Sequence, residues 1–241
     1  VGIFVLTAQK EETAREQQIQ PQSNEADEIA LFEPSETMIR NIMKDALGQR
    51  FDAQAATHKE ENLDHKGGPE LIVGAAEGNT ATIQVLTVLN AKGEYERLGK
   101  IEYQELLRGA PEFMGLTDID GDGKDEVIMS LMYGGVSSMT QGILHIDFAK
   151  KTMQWVQMRD ENGQVQDAIF ILTASATYSN NVQILDIDKD GKKEFVEITA
   201  QTLFDTTECT ANVYEWNGTL LAFDQSPSQQ LLQSLGEDCA M

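Results

Sequence analysis

The sequence predicts a mainly β protein assembled from repeated units of about four strands, preceded by one helix and an extended N-terminal segment. Short β-branched segments, partly alternating, recur from residue 71 onward. Two nine-residue acidic stretches are near copies: Asp118-Ile-Asp120-Gly-Asp122-Gly-Lys124-Asp-Glu126 and Asp186-Ile-Asp188-Lys-Asp190-Gly-Lys192-Lys-Glu194. A weaker copy, Asn62-Leu-Asp64-His-Lys66-Gly67-Gly-Pro-Glu70, keeps the same frame.

Each strong stretch places acids at loop positions 1, 3, 5 and 9 and glycine at 6. A short backbone loop wraps oxygen ligands around a hard cation in this way. Calcium takes six to eight oxygens at about 2.3–2.6 Å and tolerates irregular geometry. The expected ligands are the side chains of Asp118, Asp120, Asp122 and Glu126 with the Lys124 carbonyl. In the second loop they are Asp186, Asp188, Asp190 and Glu194 with the Lys192 carbonyl. Gly123 and Gly191 take a sharp turn in which a Cβ would be strained. Without a cation, carboxylates this close raise one another's pKa. Magnesium fits less well, because it demands octahedral geometry and keeps its waters. No Cys/His cluster suggests zinc. The plainer alternative is a pair of acidic surface turns, since Asp and Gly are common there.

A helix-loop-helix calcium site would need a bidentate Glu at position 12. That position is Met129 in the first strong loop and Glu197 in the second. The flanks exclude it: the segments entering and leaving both loops have no helical period, so each loop joins strands. In the weaker copy Lys66 replaces the acid at position 5. Its ammonium would compete with a divalent ion and could neutralise Asp64 and Glu70. This copy, with Asn62, Asp64, Lys66 and Glu70 at positions 1, 3, 5 and 9, is expected to keep its turn and to have lost its metal.

Loop starts at 62, 118 and 186 are 56 and 68 residues apart, and 56 residues remain in the last copy. A period of this size filled with strands indicates repeated supersecondary units. The expected strands are Leu71–Ala76, Thr80–Leu89, Arg97–Tyr103 and Phe113–Thr117 in the first unit. In the second they are Val127–Tyr133, Ile143–Ala149, Met153–Met158 and a stretch within Ala168–Leu185. In the third they are Phe195–Leu203, Thr210–Trp216 and Leu220–Phe223, after which the pattern fades. The units span 62–117, 118–185 and 186–241, and four-stranded sheets at this spacing suggest propeller blades.

The motif Asp-x-Asp-Gly-Asp-Gly-x-x-Glu followed by an apolar strand resembles the FG-GAP/VCBS repeat, found in the calcium-binding blades of integrin-α-type propellers. The resemblance covers roughly residues 62 to 241. It implies calcium held by the loop carboxylates at blade edges. The number of units departs from the family: closed propellers have about 4–8 blades, and three cannot close a ring. The expected architecture is therefore an incomplete, open β-propeller.

Upstream, residues 1–34 form an apolar start, Val1 to Ala8, and a polar spacer rich in Glu and Gln. The apolar start is too short to span a bilayer. It is either the end of a longer signal or anchor helix or a strand that docks on a neighbour. Residues 35–61 are read as helix and linker. Ser35 is an N-cap for a helix over Glu36–Phe51, where Met38, Ile39, Ile42, Met43 and Leu47 form an apolar stripe. Its expected role is to cover an exposed sheet edge.

The net charge is −22, from 40 acidic and 18 basic residues. Nucleic-acid binding, which depends on neutralising phosphates, is thereby excluded. The two cysteines, Cys209 and Cys239, are expected to pair in an oxidising compartment, the alternative being two unrelated thiols. Weak calcium loops also suit the high calcium found outside the cytosol. For catalysis the sequence offers little. His58, His65 and His145 occupy unrelated contexts, and His145 with Asp147 reads as a surface pair on one strand. No nucleophile elbow, phosphate loop or zinc-binding His pair is present. Trp155 and Trp216 are expected to pack within blades, and Asn217-Gly-Thr219 is a turn or a glycosylation acceptor.

The expected function is therefore a non-enzymatic, calcium-binding structural or interaction protein of the periplasm or cell exterior. It would hold two Ca2+ ions and act in surface assembly or adhesion through a protein partner or self-assembly, with a membrane tether possible through its N-terminus. The alternative is an inhibitor or immunity-type protein that binds another protein's cleft; an enzyme is the least supported reading.

Overall fold

The computed structural model describes residues 33–48, 52, 56–104, 109–132, 138–173, 175, 177–203, 206–235 and 239. The expectations for Val1–Ala8 and for the polar spacer lie outside these residues. The protein is mainly β, and one of its sheets curls into a half-barrel. Among the described residues, no helix is long and apolar enough to cross a membrane.

Helix α1 (Glu36–Leu47) opens the described chain, with the Ser35 hydroxyl accepting from the Met38 amide. The first sheet is a meander of β1 (Thr57–Glu61), β2 (Glu70–Glu77), β3 (Thr80–Val88) and β4 (Tyr95–Gln104), in that order. The second contains β5 (Glu112–Thr117), β6 (Glu126–Met132), β7 (Ser138–Asp147) and β8 (Thr152–Trp155), again paired consecutively and antiparallel. Three short strands follow: β9 (Gln157–Arg159), β10 (Val165–Asp167) and β11 (Ile169–Thr173). β11 pairs with the first half of β7, and β8 takes the second half. The third sheet is a meander of β12 (Tyr178–Leu185), β13 (Glu194–Leu203), β14 (Thr206–Trp216) and β15 (Leu221–Asp224). β9 joins β15 in parallel and carries β10. Helix α2 (Gln225–Ser234) follows directly.

Each acidic loop lies inside a sheet, as the connection between its first two strands. The strand before the loop pairs antiparallel with the strand after it: β1 with β2, β5 with β6, β12 with β13. The sequence frame placed Phe113–Thr117 at the end of the first unit and residues 57–61 in a linker. Pairing moves each unit back by one strand, because a nine-residue turn returns the chain antiparallel and lets the two flanking strands satisfy each other's backbone groups.

The layers follow from alternation along the strands. On β2, Leu71, Val73 and Ala75 pack with Ile39, Ile42, Met43 and Leu47 of α1. Ile72 faces the other way, joining Ile83, Val85 and Leu98 against Val127, Met129, Leu131, Leu144 and Ile146 of the second sheet. A further core joins Ile143, Val156, Met158 and Phe170 to Phe195, Tyr214 and Leu221 of the third sheet. On the far face of the third sheet, Val196, Ile198, Ala211 and Val213 meet Leu231 of α2. The order is thus helix, three sheets face to face, helix. Trp155 packs with Tyr103 edge to face at 6.0 Å. A Cβ at Gly142 would lie 2.6 Å from the Trp155 ring, so glycine is required there for the ring to lie flat on β7.

Two expectations about α1 change. The helix ends at Leu47, because Gly48 takes a positive φ of 60° and its amide caps onto the Lys44 carbonyl; the expected end at Phe51 lies outside the described residues. The helix covers a face of the first sheet, not an edge. Its apolar stripe needs an apolar surface, which β2 and β3 present, while the Tyr95 hydroxyl donates to Asp45 at 2.7 Å. α2 lies where the strand pattern faded; Asp224 caps it, and Pro227 sits in its first turn, where a missing amide does no harm.

Cys209 of β14 and Cys239 form a disulfide, with Cα atoms 5.6 Å apart across 30 residues of sequence. It ties the segment after α2 back to the third sheet. Closing a loop of this length restricts the unfolded chain, so Cys209→Ser with Cys239→Ser should lower the unfolding free energy by about 3–4 kcal/mol in a denaturant titration.

Candidate metal centres

The three loops share one hydrogen-bond scheme. At position 9, Glu70, Glu126 and Glu194 each accept from the amide of position 2, at 2.9, 2.9 and 2.7 Å. All three glutamates are buried. At position 2, Leu63, Ile119 and Ile187 insert into three different apolar cores. At position 3, Asp64, Asp120 and Asp188 accept from the amide of position 5, at 2.8, 3.0 and 3.0 Å. The strong loops continue the pattern. Asp122 and Asp190 accept from the amides of Lys124 and Lys192, both at 2.8 Å. Asp118 and Asp186 accept from Gly123 and Gly191 at 3.1 and 3.2 Å.

Two residues per loop adopt positive φ. Position 6 is glycine throughout: Gly67, Gly123 and Gly191, at 72°, 79° and 91°. Position 4 is the second, occupied by His65, Gly121 and Lys189 at 54°, 74° and 63°. The sequence pointed to position 6 alone, since position 4 is glycine in one of the three loops only.

Most of the expected side-chain ligands converge. Asp118, Asp120 and Asp122 each bring a carboxylate oxygen within 4.8 Å of the others, as do Asp186, Asp188 and Glu194. These acidic groups can hold a metal ion, with Asp118 giving both oxygens to the amides of Gly121 and Gly123 and Asp120, Asp186 and Asp188 each giving one oxygen to the backbone. Asp190 is not one of the second trio, its other oxygen lying 3.3 Å from the Lys192 ammonium. Lys124 pairs likewise with Asp122. The two lysines, expected to contribute carbonyls, therefore also place their ammonium groups on the position-5 acids.

The carboxyl groups are not all pushed upward, as crowding alone would predict. Glu126 and Glu194 are raised, first by burial and then by neighbouring aspartates. Asp190 is lowered, chiefly by the Lys192 amide and then its ammonium. At Asp122 burial acts upward, but the Lys124 ammonium and amide outweigh it and the carboxyl falls below its ordinary range. Repulsion is relieved locally because each strong loop carries its own cation at position 7, Lys124 or Lys192.

The weaker loop keeps the turn and lacks two of the four acids, with Asn62 at position 1 and Lys66 at position 5. Lys66 is exposed, and its amide, not its ammonium, engages Asp64. The expected neutralisation of Asp64 and Glu70 by Lys66 is therefore replaced by main-chain donors. This loop also packs on the next one. The Asp125 amide donates to the Leu63 carbonyl at 2.9 Å, and His65 Nε2 lies 3.1 Å from the Asp125 carboxylate.

His145 was not expected at a site. On β7 its Nδ1 lies 2.9 Å from Glu126 Oε1 and 4.0 Å from Asp120 Oδ2. The three form a further group within 4.8 Å. Its supposed partner Asp147 pairs with Lys150. The hydrogen bond with Glu126 raises the His145 pKa against the effect of burial. Glu197, a candidate for position 12, lies on β13 and accepts from Asn180 and Asn212 instead. Glu215 on β14 is raised by burial and then by Asp224, Asp188 and Asp190. Set against known proteins, the chain matches no family model, no curated protein and no solved structure.

Burial raises the Glu70 carboxyl from 4.5 to about 7. A carboxyl raised on folding favours the native state fully below its unfolded pKa, and that contribution is lost as pH climbs through the folded value. Stability should thus decline between about pH 4.5 and 7.5 by an amount on the order of 3 kcal/mol. Glu70→Gln should flatten this part of the profile, measured by denaturant titrations across the range.

Proposed function

We propose that the chain is a non-enzymatic, calcium-stabilised scaffold of the FG-GAP/VCBS type, an open arc of three blades, each built on a four-stranded meander. It acts in assembly or adhesion outside the cytoplasm, through a protein partner or self-association. The observation that carries this is the hydrogen-bond scheme common to the loops 118–126 and 186–194. Backbone amides fix the aspartates of both loops, taking both oxygens of Asp118 and one each of Asp120, Asp122, Asp186, Asp188 and Asp190. An all-oxygen shell of irregular shape suits calcium better than magnesium. The disulfide is compatible with an oxidising compartment. Helices α1 and α2 cover the outer faces of the first and third sheets, as an arc that does not close on itself requires.

Calcium would replace the lysine ammonium groups at position 5 and rigidify the turns, fixing the surface a partner meets. Two loops filled to about 100 times their dissociation constants would contribute roughly 2.7 kcal/mol each. Millimolar calcium should therefore raise the melting temperature by roughly 10–20 °C, reversibly with chelator. Asp120→Ala together with Asp188→Ala should remove most of that rise; an unchanged rise would show that other groups bind the ion.

A further inference from the structure

In each sheet the residue across from the position-9 glutamate stands beside the loop. Glu70 pairs with Thr87. One step beyond the Val127–Leu144 pair, Glu126 lies opposite His145. One step beyond Phe195–Tyr214, Glu194 lies opposite Glu215. The same place thus holds a hydroxyl, an imidazole and a carboxylate. Thr87 Oγ1 lies 3.5 Å from Glu70 Oε1, and His145 Nδ1 lies 2.9 Å from Glu126 Oε1.

We propose that Asp120, Glu126 and His145 form a site for a zinc-class divalent cation, distinguishing the loop 118–126 from the all-oxygen loop 186–194. This rests on the reading of the loops as cation sites and refines which ion each one takes. Ligand atoms at about 2.0–2.2 Å from one zinc ion stand roughly 3–3.5 Å apart. The observed spacings of 2.9 and 4.0 Å from Nδ1 to the two carboxylates bracket that range. Imidazole suits zinc, copper, nickel or cobalt, whereas calcium selects oxygen. Glu126 supplies Oε1 while its Oε2 stays on the Ile119 amide, so the protein orients this ligand before any ion arrives. Three protein ligands leave a fourth tetrahedral position for water or for a donor from a partner. Because Asp120 and Glu126 serve both shells, zinc and calcium exclude each other in this loop. The loop 186–194 has Glu215 in the corresponding register position instead of an imidazole, so it presents oxygen donors alone and is left with calcium.

The test is a titration of the full, disulfide-bonded chain with Co2+ as a spectroscopic substitute for zinc, after removal of all divalent ions. One equivalent should produce a visible d–d band, discharged by Zn2+, and paramagnetically shifted ring protons of His145 in the NMR spectrum. His145→Gln keeps a donor for Glu126 and should weaken Co2+ binding by about 100-fold or more. His65→Gln, beside Asp125, and Asp188→Ala should leave it unchanged. Absence of shifted His145 protons in the wild-type chain, or wild-type Co2+ affinity in His145→Gln, would overturn the proposal. Should that variant fail to fold, the wild-type NMR spectrum decides alone. A calcium-dependent rise in melting temperature that persists without Co2+ binding would sink only this inference. Co2+ bound through His145 in a chain that calcium does not stabilise would instead sink the calcium reading.

Discussion

The structure depends on a buried carboxylate that catches a backbone amide. In each of the three sheets a position-9 glutamate accepts from the position-2 amide of its own loop. A buried amide without a partner costs about 1–3 kcal/mol, and the apolar residue at position 2 can enter the core only if its amide is satisfied. The glutamate meets that need and brings the two strands flanking the loop into register. Its second oxygen remains available, to Thr87 in the first sheet and to His145 in the second. One residue type thus holds the hairpin in all three loops and also belongs to the acidic groups of the two strong ones, while the weaker loop has the glutamate with Asn62 and Lys66 at positions 1 and 5.

Around these hairpins the sheets stack by alternation. One face of the first sheet receives α1 and the other receives the second sheet. The third sheet meets the second on one side and α2 on the other. A stack of sheets that does not close must shield its two outer faces, and an amphipathic helix at each end does so. The disulfide holds the segment after the second helix to the sheet beneath it.

Charge is managed loop by loop. The chain carries a net −22, yet the crowded acids do not rise together, because Lys124 and Lys192 sit on the carboxylates two residues before them. Those ammonium groups are internal counter-ions. A divalent cation would displace them and deliver a higher charge to the same oxygens. The contact of Asp125 with His65 and Leu63 links the loop 118–126 to the loop 62–70, so ordering of one bears on the other.

By itself the sequence determined the loops, the first helix and most of the strands, but not β1 or α2. Alternating β-branched segments, a capped amphipathic stripe after Ser35 and the spacing of Asp and Gly are local properties, written in consecutive residues. The paired cysteines were legible too, since there were only two. Tertiary structure decided what lies between distant residues. The strand frame shifted because pairing across a loop depends on both flanks, and α1 found a face because only the assembled sheet presents one. Thr87, His145 and Glu215 escaped notice because their distance along the chain from the loop follows the length of an intervening hairpin. No fixed offset marks them, and only strand register brings each to its glutamate.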